Sequence, residues 1–247
     1  MGHLLVPDWP APANVRACST TRGGGVSRQP YASLNLGDHV GDSPDAVAQN
    51  RRCLAAMAGL PAAPRWLEQV HGTDVITLDG PLDGALAAPC RADAVYTRLP
   101  GQVCAVMTAD CLPVLLCDQD GREVAAAHAG WRGLNAGILE QTLARFEADP
   151  AALMAWLGPA IGPRAFEVGP EVKAAFVAHD PQASGAFIAH GDKYFADIYQ
   201  LARLRLRAAG VWRIYGADHC TVTQSASFFS YRRDGVTGRM ASLVWLI

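Results

Sequence analysis

A thiol and an imidazole lie at the ends of two predicted strands. Cys111 comes just before the apolar run Pro113–Cys117, and His128 comes just after the run Val124–Ala127. The turn Asp118–Gly121 between these runs predicts a β-hairpin, in which glycine supplies the positive φ of the turn. Antiparallel pairing would bring the two side chains together at the open end of the hairpin. They are either a nucleophile with its base or two ligands of a metal ion.

A third side chain of the same chemistry, His71, lies between two segments of strand character. The Gly72 that follows it predicts a bulge or a close approach of the backbone. His71, Cys111 and His128 would form a His₂Cys set, and a catalytic zinc has three protein ligands and one open position. Without a metal, Cys111 would be a nucleophile activated by His128 or His71. The spacing matches no diagnostic motif, so the residues alone leave both interpretations open.

A multicopper centre is the less favoured metal chemistry. A laccase-type array needs about ten His and Cys ligands in paired motifs. The chain has 7 histidines and no His-x-His pair. Copper is therefore less expected than zinc.

Two arginines lie where an anion could bind. Arg22 is part of the glycine-rich loop 21–27, which lacks the Gly-Lys-Ser/Thr ending of a phosphate-binding P-loop. Arg132 lies in the loop before a predicted helix, where free N–H groups and the helix dipole favour anions. The alternative is that the loop is a flexible turn and that Arg132 is an ordinary surface charge.

The elements that must position these residues alternate irregularly. A helix is predicted from Ser43-Pro44 to Gly59, and others at 134–148, 170–178 and 194–208, with a polar connection at 179–193 and a hairpin-like turn at 231–239. The predicted strands are 15–20, 66–70, 73–78, 92–97, 103–108, 113–117, 124–127, 153–157, 211–215, 226–230 and 240–247, with a surface loop at 79–91. This order predicts a single α+β domain, in which helices cover a mixed sheet or a pair of sheets. No GxGxxG follows a strand, which argues against a doubly wound fold.

Composition limits the kind of partner. Of the 247 residues 50% are hydrophobic and 18% are charged, and the formal net charge of -2 gives no bulk affinity for nucleic acid or for an anionic membrane. The 7 cysteines form no CxxC pair, and neither a signal peptide nor an apolar run long enough to span a membrane is visible. We therefore expect a cytoplasmic protein with free thiols. No apolar seam for a partner is visible, so a monomer is expected.

Several motifs together resemble one known family. TTRGGGVS, SLNLGDHVGD, QVHG, TADC, HAGWRG and YRRDGVTGR lie between about residue 15 and the end of the chain. This pattern resembles the YfiH-like family, which has been called laccase-domain or polyphenol oxidase and is now described as purine nucleoside phosphorylase. The resemblance implies one α+β domain over residues 1–247, made of layered mixed β-sheets covered by outer helices. It also implies that His71, Cys111 and His128 are the metal ligands, with zinc as the cofactor.

The resemblance implies an activity as well. Adenosine, inosine or guanosine would react with phosphate to give the base and ribose 1-phosphate, and methylthioadenosine phosphorolysis and adenosine deamination are further expectations. The partners would be a small-molecule nucleoside and phosphate. The alternative is a Cys- or metal-dependent amide hydrolase acting on peptidoglycan precursors. A non-enzymatic metal-binding module comes third, because a structural zinc usually has four protein ligands.

Roles for other residues follow as hypotheses from this chemistry. The catalytic candidates are Asp110, as an acid or base, and Arg132, which would hold the phosphate. The candidates for substrate binding are Arg22, toward phosphate, and three side chains that could hydrogen-bond the ribose or the base: Asn35, Gln69 and Tyr231.

Overall fold

The computed structural model of this protein describes residues 4–80 and 90–247. Most of the surface loop predicted at 79–91 therefore lies outside the described residues. The strands of the described part are β1 (Leu4–Leu5), β2 (Val15–Thr20), β3 (Leu67–Glu68), β4 (Val75–Leu78), β5 (Cys90–Arg91), β6 (Ala94–Thr97), β7 (Val103–Thr108), β8 (Leu112–Asp118), β9 (Val124–Ala129), β10 (Leu153–Leu157), β11 (Glu167–Val168), β12 (Phe187–His190), β13 (Lys193–Ala196), β14 (Arg213–Gly216) and β15 (Met240–Leu246). The helices are α1 (Pro44–Ala58), α2 (Trp131–Ala136), α3 (Ile138–Leu143), α4 (Pro170–His179), α5 (Ile198–Ala208) and α6 (Tyr231–Asp234), with 3₁₀ turns at Pro150–Ala152 and Pro181–Ala186.

Two large sheets form the centre of the fold. One has the strand order β1-β2-β15-β7, and the other has the order β14-β10-β8-β9-β6-β4. Smaller sheets, β11-β13-β12 and β3-β5, lie beside them. Antiparallel and parallel pairs occur together in the six-stranded sheet, since β10 pairs with β14 in parallel and with β8 in antiparallel fashion. The α+β fold of mixed sheets predicted from the sequence is confirmed.

Successive side chains along a strand point to opposite faces of its sheet, and the two faces of each large sheet pack against different layers of the fold. In β7, Cys104 and Val106 belong to the apolar cluster that also contains Leu115 and Cys117 of the other large sheet. Val103, Ala105 and Met107 pack instead with Leu54 of α1. On the outer face of the six-stranded sheet, Leu112, Val114 and Leu116 pack with residues of α2, α3 and α5. Because side chains alternate between the two faces of each strand, the layers of the fold stack in the order helix, sheet, sheet, helix.

The hairpin of β8 and β9 confirms the first prediction from the sequence. Leu112 pairs with Ala129 and Pro113 with His128. Gly121 has a φ of 67°, as its place in the turn requires. Cys111, one residue before β8, therefore lies beside His128 at the open end. Every residue of both strands is buried, which fixes the register that the site needs.

Helix ends explain where predictions held and where they were wrong. Ser43 caps α1 through a bond from the N–H of Ala46, and the N–H of Gly59 bonds back to Ala55, so this helix begins and ends as predicted. The helix predicted at 134–148 is instead the pair α2 and α3, because Gly137 has a φ of 106°.

Three more segments differ from their predictions. Residues 226–230, which were predicted to be a strand, do not form one, although Phe228 and Phe229 are fully buried. These residues are held in a loop, in which the Arg233 guanidinium donates to the carbonyl of Phe228 at 3.0 Å. The turn predicted at 231–239 begins as the short helix α6, capped by Ser230. The connection 179–193 contains β12 and a 3₁₀ turn.

Within residues 4–80 and 90–247, no helix is both long enough and apolar enough to cross a bilayer.

Candidate metal centre

Three side chains from separate segments meet at the open end of the hairpin. The ligand atoms of His71, Cys111 and His128 all lie within 4.8 Å of one another. Cys111 Sγ is 3.7 Å from His71 Nε2, and the two imidazole rings meet edge to face at 4.8 Å between centroids. In a tetrahedral zinc site, bonds of about 2.3 Å to sulfur and about 2.0 Å to nitrogen put those two ligand atoms about 3.5 Å apart. The spacing of this triad therefore suits a zinc-sized ion.

The backbone around the triad is held in unusual conformations. His71 has a φ of 60° and Asp110, the neighbour of Cys111, has a φ of 94°. Such values are rare outside glycine and persist only where surrounding contacts impose them. Gly130 packs directly on the triad, since a Cβ there would lie 2.8 Å from His71 Cδ2 and 3.0 Å from Cys111 Sγ. The donor set of one thiol and two imidazoles, in this tight packing, is chemically suited to zinc.

One buried carboxylate lies behind both histidines. Asp93 Oδ1 is 2.8 Å from Nδ1 of His128 and accepts the backbone N–H of His71 at 2.9 Å. Its other oxygen accepts the N–H of Gly72 at 2.7 Å and of Val70 at 3.2 Å. Asp93 has no solvent exposure. With Nδ1 occupied by the carboxylate, His128 has Nε2 left for a metal.

The thiol and the imidazoles change each other's proton affinity. Burial alone would raise the pKa of Cys111, but the facing imidazoles of His128 and His71 outweigh it and lower the pKa to about 6. Burial would lower the pKa of His128, whereas the Cys111 thiolate and the Asp93 carboxylate raise it to about 9. Burial raises the pKa of Cys104, which faces no such partner. Cys111 is thus the thiol prepared to bind a metal or to act as a nucleophile.

Two cavities adjoin at Cys111 of the triad. The larger one, of about 410 Å³, is lined by His39, Gln69, His71, Met107, Thr108, Ala109, Cys111, His128, Tyr231 and Arg239. The smaller one, of about 190 Å³, is lined by Ala109, Asp110, Cys111, Trp131, Ile161, Phe166, Ile198, Tyr231 and Arg232. They share Ala109, Cys111 and Tyr231. The larger cavity contains polar and charged groups, and the smaller one is largely aromatic and aliphatic.

Three predicted residues outside the triad also line these cavities. Tyr231 is 62% exposed and lines both. Gln69 uses its amide to pair with the backbone of Met107, through two bonds of 2.7 Å. Asp110 accepts the Thr221 hydroxyl at 2.5 Å and the N–H of Arg232 at 2.7 Å. Gln69 and Asp110 thus connect the segments that carry His71, Cys111 and Tyr231.

The other predicted residues line neither of these two cavities. Arg132 is exposed and lines neither cavity, and its guanidinium stacks on Trp131 at 4.5 Å. Arg22 donates to the carbonyls of Ala32 and Ser225 and lines a different, more polar cavity. Asn35 is fully buried. Its amide bonds to both backbone groups of Gly37, to Asp42 and to the N–H of Arg239.

Sequence reasoning missed Arg239, His39 and Asp93. Arg239 lies just before β15, and Met240 pairs with Thr108, which brings this arginine near Cys111. Its Nη1 donates to the carbonyls of Thr237 and Gly238, and its stem packs on Gly37. Burial lowers the pKa of Arg239, while the facing Cys111 and Asp110 favour its charged form. The signal available in the sequence was an arginine immediately before a predicted strand.

The chain is similar to known proteins over its whole length. Residues 16–247 match the family model described as multi-copper polyphenol oxidoreductase laccase. The chain is 63% identical to a protein named purine nucleoside phosphorylase YfiH from Escherichia coli, with 100% of both chains covered. It is 54% identical to a purine nucleoside phosphorylase of Pseudomonas aeruginosa, covering 100% of this chain and 99% of the relative.

A solved structure supports the fold. The crystal structure of a Neisseria meningitidis protein of the family DUF152 superposes with a TM-score of 0.93 at 52% identity, covering 99% of each chain. Within residues 4–80 and 90–247, the triad is the one group of three His, Cys, Asp or Glu side chains arranged to hold a metal ion. From its sequence motifs, its fold and these matches, the chain belongs to the YfiH family of laccase-like proteins.

Proposed function

We propose that this protein is a zinc-dependent purine nucleoside phosphorylase. Relatives at 63% and 54% identity are named purine nucleoside phosphorylase. The observation that carries the proposal is the junction of two unlike cavities at the His71–Cys111–His128 triad. Adenosine, inosine and guanosine are the proposed substrates, together with phosphate.

The two cavities correspond to the two chemical halves of the reaction. A purine is flat and apolar on its faces, which suits the smaller cavity with Trp131 and Phe166. Phosphate needs a cation, and Arg239 supplies one in the larger cavity. Nε and Nη2 of Arg239 have no hydrogen-bond acceptor among the described residues, so they can hold phosphate oxygens. C1′ of the ribose would then lie at the junction, beside Tyr231.

The reaction needs one bond to form as another breaks. A phosphate oxygen bonds to C1′, the C1′–N9 bond breaks, and the proton of HPO₄²⁻ passes to the purine. The Arg239 guanidinium holds the nucleophile close to C1′, and the Tyr231 hydroxyl hydrogen-bonds the ribose. A zinc ion held by the triad would supply a Lewis acid that stabilises the negative charge on the leaving purine.

Other predicted residues act through their neighbours in this proposal. Asp110 positions Thr221 and Arg232, because both of its oxygens already accept hydrogen bonds there. Asn35 holds the backbone of Arg239, and Gln69 holds the segment before His71. Arg132 supplies a positive charge at the rim of the smaller cavity, since its guanidinium stacks on Trp131, which lines that cavity.

One observation favours a second candidate. A Cys111 thiol with a pKa near 6, facing His128 with a pKa near 9, is also the pair that a cysteine hydrolase uses. Amide hydrolysis in peptidoglycan precursors is therefore the alternative function. A zinc ion held by three protein ligands would leave an open position at which water could be activated. Adenosine deamination and methylthioadenosine phosphorolysis are therefore two further activities to test.

One incubation distinguishes these functions. Purified protein is incubated with adenosine, inosine or methylthioadenosine, with and without phosphate, and the products are separated chromatographically. Ribose 1-phosphate that forms from inosine only with phosphate supports the proposal. Inosine from adenosine without phosphate indicates deamination. No change in any nucleoside would refute the proposal and favour the amide hydrolase.

Two controls address the metal. Metal analysis of the active protein should find about one zinc per chain, as a single His₂Cys site implies. Cys111→Ala should lose both zinc and activity, whereas Cys104→Ala should lose neither, since Cys104 is buried between the two large sheets. Full activity after chelation would remove zinc from the mechanism and leave the Cys–His pair.

A further inference from the structure

Asp93 contacts both histidines of the triad with a single carboxylate. Its Oδ1 lies 2.8 Å from His128 Nδ1 and 2.9 Å from the N–H of His71. Its backbone carbonyl also accepts the N–H of His128 at 2.7 Å. The two histidines are 57 positions apart in the sequence, and this residue connects them.

On the His71 side the carboxylate fixes the backbone. Three successive N–H groups, from Val70, His71 and Gly72, point to its two oxygens. This arrangement is an anion-binding nest, which a negative charge stabilises. His71 has its positive φ of 60° inside this nest. A residue other than glycine is strained at such a φ, so the surrounding contacts must hold it there.

On the His128 side the carboxylate fixes the tautomer. A neutral imidazole carries its proton on one nitrogen only, and the acceptor at Nδ1 determines which one. Asp93 accepts from Nδ1, so Nε2 keeps its lone pair for a metal. His128 is 3% exposed, so no bulk water replaces this acceptor.

We propose that Asp93 is a positioning residue that determines metal affinity through both histidines at once. It sets the tautomer of His128 and the backbone conformation of His71 with the same carboxylate. This inference rests on the metal centre of the proposed function, and it is independent of which reaction the centre supports.

Asparagine cannot replace both functions of this carboxylate. With its amide oxygen at the Oδ1 position, the NH₂ group faces the N–H donors of Gly72 and Val70, and the His71 segment loses its acceptor. With the amide turned over, the NH₂ group faces the N–H of His71 and forces His128 to accept at Nδ1, which puts the proton on Nε2. Each orientation of the amide therefore disables one histidine.

The test is the metal affinity of Asp93→Asn in the full chain. Zn²⁺ is titrated against a chromophoric chelator, and the Co²⁺-loaded protein is examined by absorption spectroscopy. We expect the affinity for Zn²⁺ to fall about 10–100-fold, the range for loss of such outer partners. The thiolate-to-Co²⁺ band should persist because Cys111 is unchanged, while the ligand-field bands should shift as one histidine is lost.

Asp118→Asn is the matched control. Asp118 is also a buried carboxylate that accepts three backbone N–H groups, from Asp120, Arg122 and Glu123. It lies at the other end of β8, about 20 Å from Cys111 at the usual rise per residue. We expect this variant to unfold at lower temperature and to bind Zn²⁺ with wild-type affinity.

The outcomes separate this inference from the proposed reaction. Wild-type affinity and an unchanged Co²⁺ spectrum in Asp93→Asn would overturn the inference. A wild-type protein that binds zinc but leaves nucleosides unchanged would refute the phosphorylase and leave the inference standing. If Asp93→Asn fails to fold, Asp93→Glu keeps the charge but displaces the carboxylate by one methylene, and undiminished Zn²⁺ affinity there would also overturn the inference.

Discussion

The substitution Gly130→Ala adds one methyl group against the metal centre. Gly130 has φ −61° and ψ 155°, which alanine adopts without strain. Any effect must therefore come from the new Cβ, which would lie 2.8 Å from His71 Cδ2 and 3.0 Å from Cys111 Sγ. Because the contacted atoms belong to two of the proposed metal ligands, we expect this variant to fold and to lose metal affinity.

The expected magnitude follows from the contact distance. Carbon atoms pack at about 3.5–4.0 Å, so the His71 ring must move by about 0.7 Å or more. Overpacking of this kind costs about 1–3 kcal/mol, and a displacement near 1 Å at a reacting group costs about 100-fold in rate. We therefore expect Zn²⁺ affinity to fall about 10–100-fold and kcat/KM for inosine to fall by a similar factor.

The assay compares three proteins by chelator competition, phosphorolysis rate and thermal unfolding. Gly185→Ala is the control, because a Cβ there meets nothing within 4 Å and the residue has no positive φ. That variant should match the wild type in all three measurements. Gly130→Ala with unchanged Zn²⁺ affinity and unchanged kcat/KM would refute the close packing of this backbone on the ligands.

Three further predictions concern other parts of the site. Arg239→Gln removes the cation of the larger cavity and should raise KM for phosphate about 10–100-fold, as expected for a charged hydrogen bond; an unchanged KM in steady-state kinetics would exclude Arg239 as the phosphate ligand. In the metal-free protein, the rate at which iodoacetamide alkylates Cys111, followed by peptide mass spectrometry, should increase with pH through a midpoint near 6. The reason is that the thiolate is the reactive form and that the two histidines lower the pKa of this thiol. A midpoint near 9 would contradict the interaction of Cys111 with the histidines. Asn50→Ala removes a buried amide that bonds Val26, Ser27 and the carbonyl of Asn35. Tm should fall roughly 5–15 °C, for a loss of about 2–4 kcal/mol in the free energy of unfolding. An unchanged Tm would show that these bonds do not stabilise the fold.

The hairpin could be predicted because its information is local. Two apolar runs around a turn with Gly121 determine the pairing, and the observed register of Pro113 with His128 follows from it. The helix α1 was likewise readable from its capping residues. The strand predicted at 226–230 was wrong, because its apolar residues are buried in a loop whose backbone bonds to the Arg233 guanidinium, to Gln224 and to the Met240 sulfur and does not pair with the backbone of a strand.

The site residues that could not be predicted from the sequence are brought to the triad by pairing between strands that are distant in the chain. Asp93 reaches His128 because Ala94 pairs with Ala127, and Arg239 reaches Cys111 because Met240 pairs with Thr108. Neither residue has a local motif that marks it. Asn35 and Gln69 were identified by residue type, but only the folded contacts reveal that their amides bond to the backbone.

The position of β15 has a consequence for how the protein is made. This strand lies between β2 and β7, and Ser242 bonds to Ser19 across 223 residues. His71, Cys111 and His128 are synthesised before Arg239, with about 110 residues between His128 and that arginine. At usual translation rates this is a delay of roughly 5–20 s. The three residues of the triad thus leave the ribosome well before the four-stranded sheet can close, and the arginine of the larger cavity arrives with the strand that completes that sheet.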